Sequence, residues 1–211
     1  MVGVPSVLEA WLAERAGFDG VWSSGLEVAT NGGPGAGVLT PPELLAAARA
    51  LAASVHIPVV ADCDTGPGDL DQVTRLVGTY EAAGVAAVCL QDTGGPDPVP
   101  ELAGRITAAK DTQRTLDFMV IARIEAGPEV REVLGRAHAY ADAGADAVLI
   151  HAEGRSPEPV LRFAAAWDRE VPVVVPTSSH TVTPAELESA GVNMVIYDYP
   201  GRRARFSAVP A

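Results

Sequence analysis

Two pairs of charged residues, each spaced i and i+2 within an apolar run, mark this chain for chemistry. They are Asp62 and Asp64 in Pro58-Val-Val-Ala-Asp-Cys-Asp-Thr-Gly66, and Arg123 and Glu125 in Val120-Ile-Ala-Arg-Ile-Glu-Ala126. Alternation along a strand puts both members of each pair on one face. Two carboxylates held that close repel unless a cation or hydrogen-bond donors sit between them. Asp62 and Asp64 therefore read either as ligands of a hard divalent cation, Mg²⁺ with Mn²⁺ as its substitute, or as acids that cap the next helix or hold a turn. An arginine inside an apolar strand is costly unless paired. Arg123 either forms an ion pair with Glu125 or presents its planar fork to a substrate carboxylate, a geometry that guanidinium suits better than ammonium.

The elements that must position these groups follow from a repeated local pattern. Leu12-Ala-Glu-Arg-Ala-Gly-Phe-Asp-Gly-Val-Trp22, Tyr80-Glu-Ala-Ala-Gly-Val-Ala-Ala-Val-Cys89, Tyr140-Ala-Asp-Ala-Gly-Ala-Asp-Ala-Val-Leu149 and Leu187-Glu-Ser-Ala-Gly-Val-Asn-Met-Val-Ile196 each read as a helix end, a glycine, a turn and an apolar strand. Glycine suits the position just past a helix, where positive φ is common. Reading outward predicts strands near 2–5, 20–24, 58–64, 86–91, 117–124, 147–152, 172–177 and 193–198. Helices are expected near 6–16, 41–54, 70–84, 99–113, 129–143, 158–170 and 183–190. This alternation, with no second compositional regime, predicts one domain over 1–211, a single (β/α)8 TIM-type barrel whose last helix is short or missing. A doubly wound open sheet is the competing arrangement.

A barrel of this type carries its site at the C-terminal ends of its strands. The polar residues expected there are Ser23 and Ser24, Asp62 and Asp64, Gln91 and Asp92, Arg123 and Glu125, His151 and Glu153, Thr177 to Ser179, and Tyr197 and Asp198. His151 closes strand six and His180 follows strand seven, near the mouth. His56 precedes strand three and His138 lies within a helix, so neither is placed for catalysis. Asn31-Gly-Gly-Pro-Gly-Ala-Gly37 lacks the Gly-Lys-Ser/Thr that completes a phosphate loop and reads as a βα loop.

Composition narrows the classes further. The 211 residues are 48% hydrophobic, enough for a sizeable core, and the formal net charge is −12 with Lys110 as the only lysine. A basic stripe is absent, which argues against nucleic acid as a partner. No apolar run approaches the roughly 20 residues of a membrane span, and no targeting segment opens the chain, so a cytoplasmic protein without a membrane partner is expected. Cys63 and Cys89 have no CxxC spacing and read as reduced, buried side chains.

Five stretches taken together resemble the isocitrate lyase and phosphoenolpyruvate mutase superfamily, closest in wording to the mutase and phosphonopyruvate hydrolase branch. They are Ala16-Gly-Phe-Asp-Gly-Val-Trp-Ser-Ser-Gly-Leu26, Pro58 to Gly66, Ile121-Ala-Arg-Ile-Glu-Ala126, Ala143-Gly-Ala-Asp-Ala-Val-Leu-Ile-His151 and Val171-Pro-Val-Val-Val-Pro-Thr177. The resemblance implies Mg²⁺ held directly by Asp62 and through water by Asp64, with Gln91 or Asp92 as weaker supports. It also implies substrate binding by Trp22 and the amides of Ser24, Gly25 and Leu26, catalytic roles for Arg123 and His151, and Arg123 on the carboxylate of a small anionic 2-oxo acid.

The departures from the family pattern are specific. An ungapped count places Ala36 where the family has a further acid, and Gln91 stands where it has a metal-supporting acid on strand four. The gating loop after strand four is reduced to Thr93-Gly-Gly-Pro-Asp-Pro-Val-Pro100, without the Lys and Asn of mutases or the Cys of carbon–carbon lyases. The C-terminal helices that the family swaps between subunits are mostly absent, which leaves a homo-oligomer open. The reading that follows is a Mg²⁺-dependent lyase or decarboxylase-like enzyme acting on a 3-substituted 2-oxo acid through an enolate. The alternatives are a phosphoenolpyruvate mutase or phosphonopyruvate hydrolase, and a degenerate barrel that binds a metabolite or partner without turnover.

Overall fold

In the computed structural model, residues 1–29, 39–66, 68–93, 98–127, 129–152, 156–177 and 182–198 are described. Eight parallel strands close into a barrel in sequence order: β1 (Val2–Gly3), β2 (Val21–Ser23), β3 (Val59–Asp62), β4 (Ala87–Gln91), β5 (Met119–Glu125), β6 (Ala147–His151), β7 (Val173–Thr177) and β8 (Met194–Tyr197). Closure comes from the pairing of Val2 with Tyr197. The helices are α1 (Val7–Arg15), α2 (Gly25–Ala29), α3 (Pro41–Ala52), α4 (Leu70–Ala82), α5 (Pro98–Thr112), α6 (Val130–Asp142), α7 (Glu158–Ala166) and α8 (Pro184–Ser189). The open sheet is excluded.

The four glycines of the repeat have φ of 85°, 82°, 102° and 95° at Gly17, Gly84, Gly144 and Gly191. Each ends a helix in the left-handed region, which a β-carbon would strain. Starts are fixed by caps. Asp69 accepts from the Gln72 amide at 2.7 Å to open α4, and Thr183 exchanges hydrogen bonds with Glu186 to open α8.

Parity along the strands sorts the side chains into two apolar layers. Val60, Cys89, Ile121, Leu149, Val174 and Ile196 fill the barrel interior, with Met1, Met119 and Met194 packed against them. Between sheet and helices lie Val88, Leu90, Val120, Ile124 and Ile150, against Val73 and Val77 of α4, Leu102 and Ile106 of α5 and Tyr140 of α6. Full burial of each such aliphatic side chain contributes about 1.5–3 kcal/mol, which makes this outer layer the main hold on the helices.

Three details differ from the sequence-based expectation. Helix α2 is additional, because five residues are too few to show a period. Helix α7 stops at Ala166 rather than near 170, as Trp167 turns extended (ψ 124°) and its indole N–H donates to the Val171 carbonyl at 2.8 Å. Strand β3 ends at Asp62, so Asp64 is not on the strand but on the turn beyond it. The segment after β8, where the last helix was expected to be short or missing, is residues 199–211 and lies outside the described residues. Among the described residues, no helix is long and apolar enough to cross a membrane.

Candidate active site

The inward-facing residues at the C-terminal ends of the strands border a cavity of about 350 Å³. Trp22, Leu149 and Ile196 supply its apolar wall; Asp62, Asp64, Arg123, His151, Glu27 and Asp198 supply its charge; Ser24, Gly25 and Leu26 form one side. Asp62 closes β3 and is 5% exposed, while Asp64 follows in the left-handed region at φ 48°, a conformation aspartate tolerates better than most residues. The Asp64 amide turns back to donate to Asp62 Oδ1 at 3.1 Å. The two carboxylates thus reach one cavity through a turn, rather than through the strand alternation that the i, i+2 spacing suggested.

Arg123 is the hub. Its Nη1 donates to Asp62 Oδ2 at 3.1 Å and its Nη2 to Glu125 Oε1 at 3.2 Å. It crosses from β5 to β3 above β4, where the inward residue level with Asp62 is the small Cys89. Glu125 is then held from three sides: by Arg123, by the Gln91 amide at 3.3 Å, and by His151 Nδ1 at 2.6 Å. The β5–β6 register sets Glu125 directly beside His151. One chain of contacts therefore runs Asp62, Arg123, Glu125, His151.

Electrostatics differ along that chain. Burial pushes the Asp62 carboxyl up to about 6 in spite of the Arg123 charge, and the neighbouring Asp64 adds to the rise. For Glu125, burial also acts upward, but the hydrogen bond and charge of His151 and the charge of Arg123 outweigh it and hold the carboxyl below the usual glutamate value. An anion at Asp62 is thus under-compensated, which is the condition a bound cation would relieve. The donor set suits Mg²⁺: all-oxygen, hard, and small enough in number to leave positions for water and substrate oxygens. Among the described residues no group of three or more His, Cys, Asp or Glu side chains is arranged as a metal cage.

Not every expected residue joins the site. Gln91 faces inward, yet its amide serves Glu125. Asp92 is a correction. Being adjacent to Gln91 it points to the opposite face, where Arg136 Nη1 grips it at 2.6 Å and the Tyr140 hydroxyl donates to it at 3.2 Å. It is a buried ion pair between β4 and α6, not a metal support. His138 pairs with Asp168 at 2.7 Å and stacks on Trp167, away from the cavity, and His56 lies beside Glu14. Cys63 and Cys89 are free thiols. Glu153, Ser178, Ser179, His180, Ala36 and the 31–37 loop lie outside the described residues, as do 94–97 of the shortened loop; Pro98 to Pro100 form the first turn of α5.

Glu27 was missed by sequence reasoning. It is 4% exposed and lines the cavity from α2. Gly3 on β1 makes room for it, since a β-carbon there would meet Glu27 Oε1 at 2.6 Å. The available signal was the Ser24-x-x-Glu27 spacing of a helix start, and Ser24 Oγ does accept from the Glu27 amide at 3.2 Å.

The chain is 39% identical to a phosphonopyruvate hydrolase of Variovorax sp. (strain Pal2), over 96% of this chain and 76% of that protein. A solved phosphoenolpyruvate phosphomutase from Streptomyces platensis subsp. rosaceus superposes with a TM-score of 0.90 at 51% identity, covering 98% of this chain and 78% of that one. A phosphonopyruvate hydrolase solved with oxalate and Mg²⁺ gives 0.89 at 37%, covering 98% and 77%. The family profile described as phosphoenolpyruvate phosphomutase matches residues 4–210, and the chain belongs to that family.

Proposed function

We propose that the protein is a Mg²⁺-dependent enzyme that cleaves the bond from C3 of a small 3-substituted 2-oxo acid to its substituent, by way of the pyruvate enolate. The observation that carries this reading is the Asp62–Arg123–Glu125–His151 chain, of which Asp62, Arg123 and His151 line a cavity of about 350 Å³, large enough for a three- or four-carbon acid. Asp62 would hold the cation directly and Asp64 through water. When bound, the cation supplies stabilisation for negative charge developing on the 2-oxo oxygen.

The chain's own residues account for binding and orientation. Arg123 spends one N–H of Nη1 on Asp62 and one of Nη2 on Glu125, so the second hydrogen on each remains for a substrate carboxylate. His151 directs Nδ1 to Glu125, which leaves Nε2 for the departing group. Breaking the bond at C3 sends its electron pair into the C2–C3 double bond of the enolate. A carboxyl substituent leaves as CO₂; a phosphono group passes to water as phosphate; a solvent proton then completes pyruvate. The backbone of Ser24, Gly25 and Leu26, which line the cavity, would receive an anionic substituent. A relative solved with oxalate, an enolate mimic, and Mg²⁺ supports this substrate class.

The 51% identity to a phosphoenolpyruvate phosphomutase favours a second reading, isomerisation in place of cleavage. One experiment separates them. The protein is incubated with Mg²⁺ and phosphonopyruvate, then with Mg²⁺ and oxaloacetate, and products are followed by phosphorus and proton NMR. Pyruvate with phosphate or CO₂ is expected, and Asp62→Asn should abolish both turnover and Mn²⁺ binding by calorimetry. Phosphoenolpyruvate as the product would establish the isomerase. Turnover of neither acid would overturn both readings in favour of a binding protein.

A further inference from the structure

The turn that carries Asp64 is held by side chains and amides from neighbouring elements. Three contacts fix it: the Gln91 amide donates to the Asp64 carbonyl at 2.7 Å, the Gly66 amide to the Cys63 carbonyl at 2.8 Å, and Arg105 Nη1 to the Thr65 carbonyl at 2.6 Å. The first two are backbone contacts that any sequence could make. The third is not. Arg105 comes from the second turn of α5, and its side chain is 5% exposed, an expensive place for a guanidinium. Its other arm is tied to Glu101 one turn earlier, and Glu101 in turn accepts from the Thr93 hydroxyl at 3.2 Å at the end of β4. Helix α5 thereby grips the loops that follow both β3 and β4.

Arg105 meets a strained segment. Asp64 is the one non-glycine residue with positive φ among the described residues, and such a conformation persists only where its surroundings over-determine it. Released from the Thr65 carbonyl, the turn would relax toward ordinary φ, and both the Asp64 carboxylate and the amide that orients Asp62 Oδ1 would move. We propose that Arg105 is a positioning residue for the metal-binding acids: it holds Asp64 in the left-handed conformation that brings its carboxylate alongside Asp62. This rests on the reading of Asp62 and Asp64 as the cation site. It adds a residue on the opposite face of the sheet, outside the cavity, that sets the affinity of that site.

The test is a double-mutant cycle read by Mn²⁺ calorimetry on Arg105→Met, Asp64→Asn and the pair, at a temperature where all are folded. Arg105→Met should weaken Mn²⁺ about tenfold or more, the scale for residues that orient metal ligands. In the Asp64→Asn background the same change should have a smaller effect, because the carboxylate is gone and only the amide that orients Asp62 Oδ1 remains to be displaced. Arg105→Lys, which keeps a donor, should recover part of the loss. A purely structural Arg105 would lower Tm without changing affinity in the folded protein, and that result overturns the proposal, as does an undiminished effect in the Asp64→Asn background. Amide hydrogen exchange on the metal-free protein supplies a second readout. Arg105→Met should speed exchange at Asp64 and Gly66 while leaving β7 and β8 unchanged; unchanged exchange there refutes the clamp. Faster exchange in a protein whose wild type binds no Mn²⁺ would leave the clamp standing and remove the cation site instead.

Discussion

Two charge networks, one half-buried and one fully buried, sit back to back across the sheet at β4 and β5, and they face different things. Inside the barrel, Asp62, Arg123, Glu125 and His151 are linked by contacts of 2.6–3.2 Å, and Asp62, Arg123 and His151 border the cavity. Outside it, Asp92 is fully enclosed, with Arg136 at 2.6 Å and Tyr140 at 3.2 Å, and Arg136 also donates to the Glu125 carbonyl at 2.9 Å. Both networks contain an aspartate and an arginine in a tight ion pair, so composition does not distinguish them. What differs is spare capacity. The outer network is shut between strand and helix and can only hold structure; the inner one keeps N–H groups and an imidazole nitrogen turned to a space that a ligand can enter.

The sharpest way to break this contrast is Asp92→Ala. It leaves Arg136 buried without its carboxylate, and the expected cost is about 3–5 kcal/mol of folding stability by urea titration, with activity per folded molecule unchanged. A stable variant that has lost Mn²⁺ binding would place Asp92 in the functional network after all. Arg123→Lys tests the other side. A point charge cannot serve Asp62, Glu125 and a substrate carboxylate together, so oxalate binding should weaken by about 1–3 kcal/mol in calorimetry. Unfolding with binding intact in the folded fraction would instead make Arg123 a structural pair like Arg136.

The smallest effect sharpens the comparison through pH. The Glu125 carboxyl lies below its ordinary value, so its contribution to stability is present above the unfolded glutamate value and is lost as pH falls through the folded one. Wild type and Glu125→Gln should therefore differ in Tm at neutral pH and converge in acid, once pH falls below the lowered value of the folded carboxyl. The imidazole signals of His151 should also shift in the variant, since the partner of Nδ1 has lost its charge. A Tm difference that stays constant down to acid pH would mean that Glu125 acts through packing alone.

Much of this molecule follows from sequence for reasons that are local. The repeated Ala-Gly turns fix helix ends because positive φ is a property of one residue, and they carry most strands and helices to within a few positions. Membership of the inner face follows from parity: Asp62, Gln91, Arg123, Glu125 and His151 share it, and the same parity already implied that Asp92, next to Gln91, must point away. Which inward residues touch is a different matter. Asp62 meets Arg123 across an intervening strand, Glu125 meets His151 through the β5–β6 register, and Arg105 reaches the Thr65 carbonyl from 40 residues along the chain. Those contacts depend on barrel closure and stagger, set by packing of the whole sheet against its helices, and no short window of sequence encodes them. Residue types and spacing determined the chemistry available at the mouth of the barrel. Tertiary structure decided which acids are paired with an arginine, which lies on the turn beyond its strand, and which arginine donates to that turn.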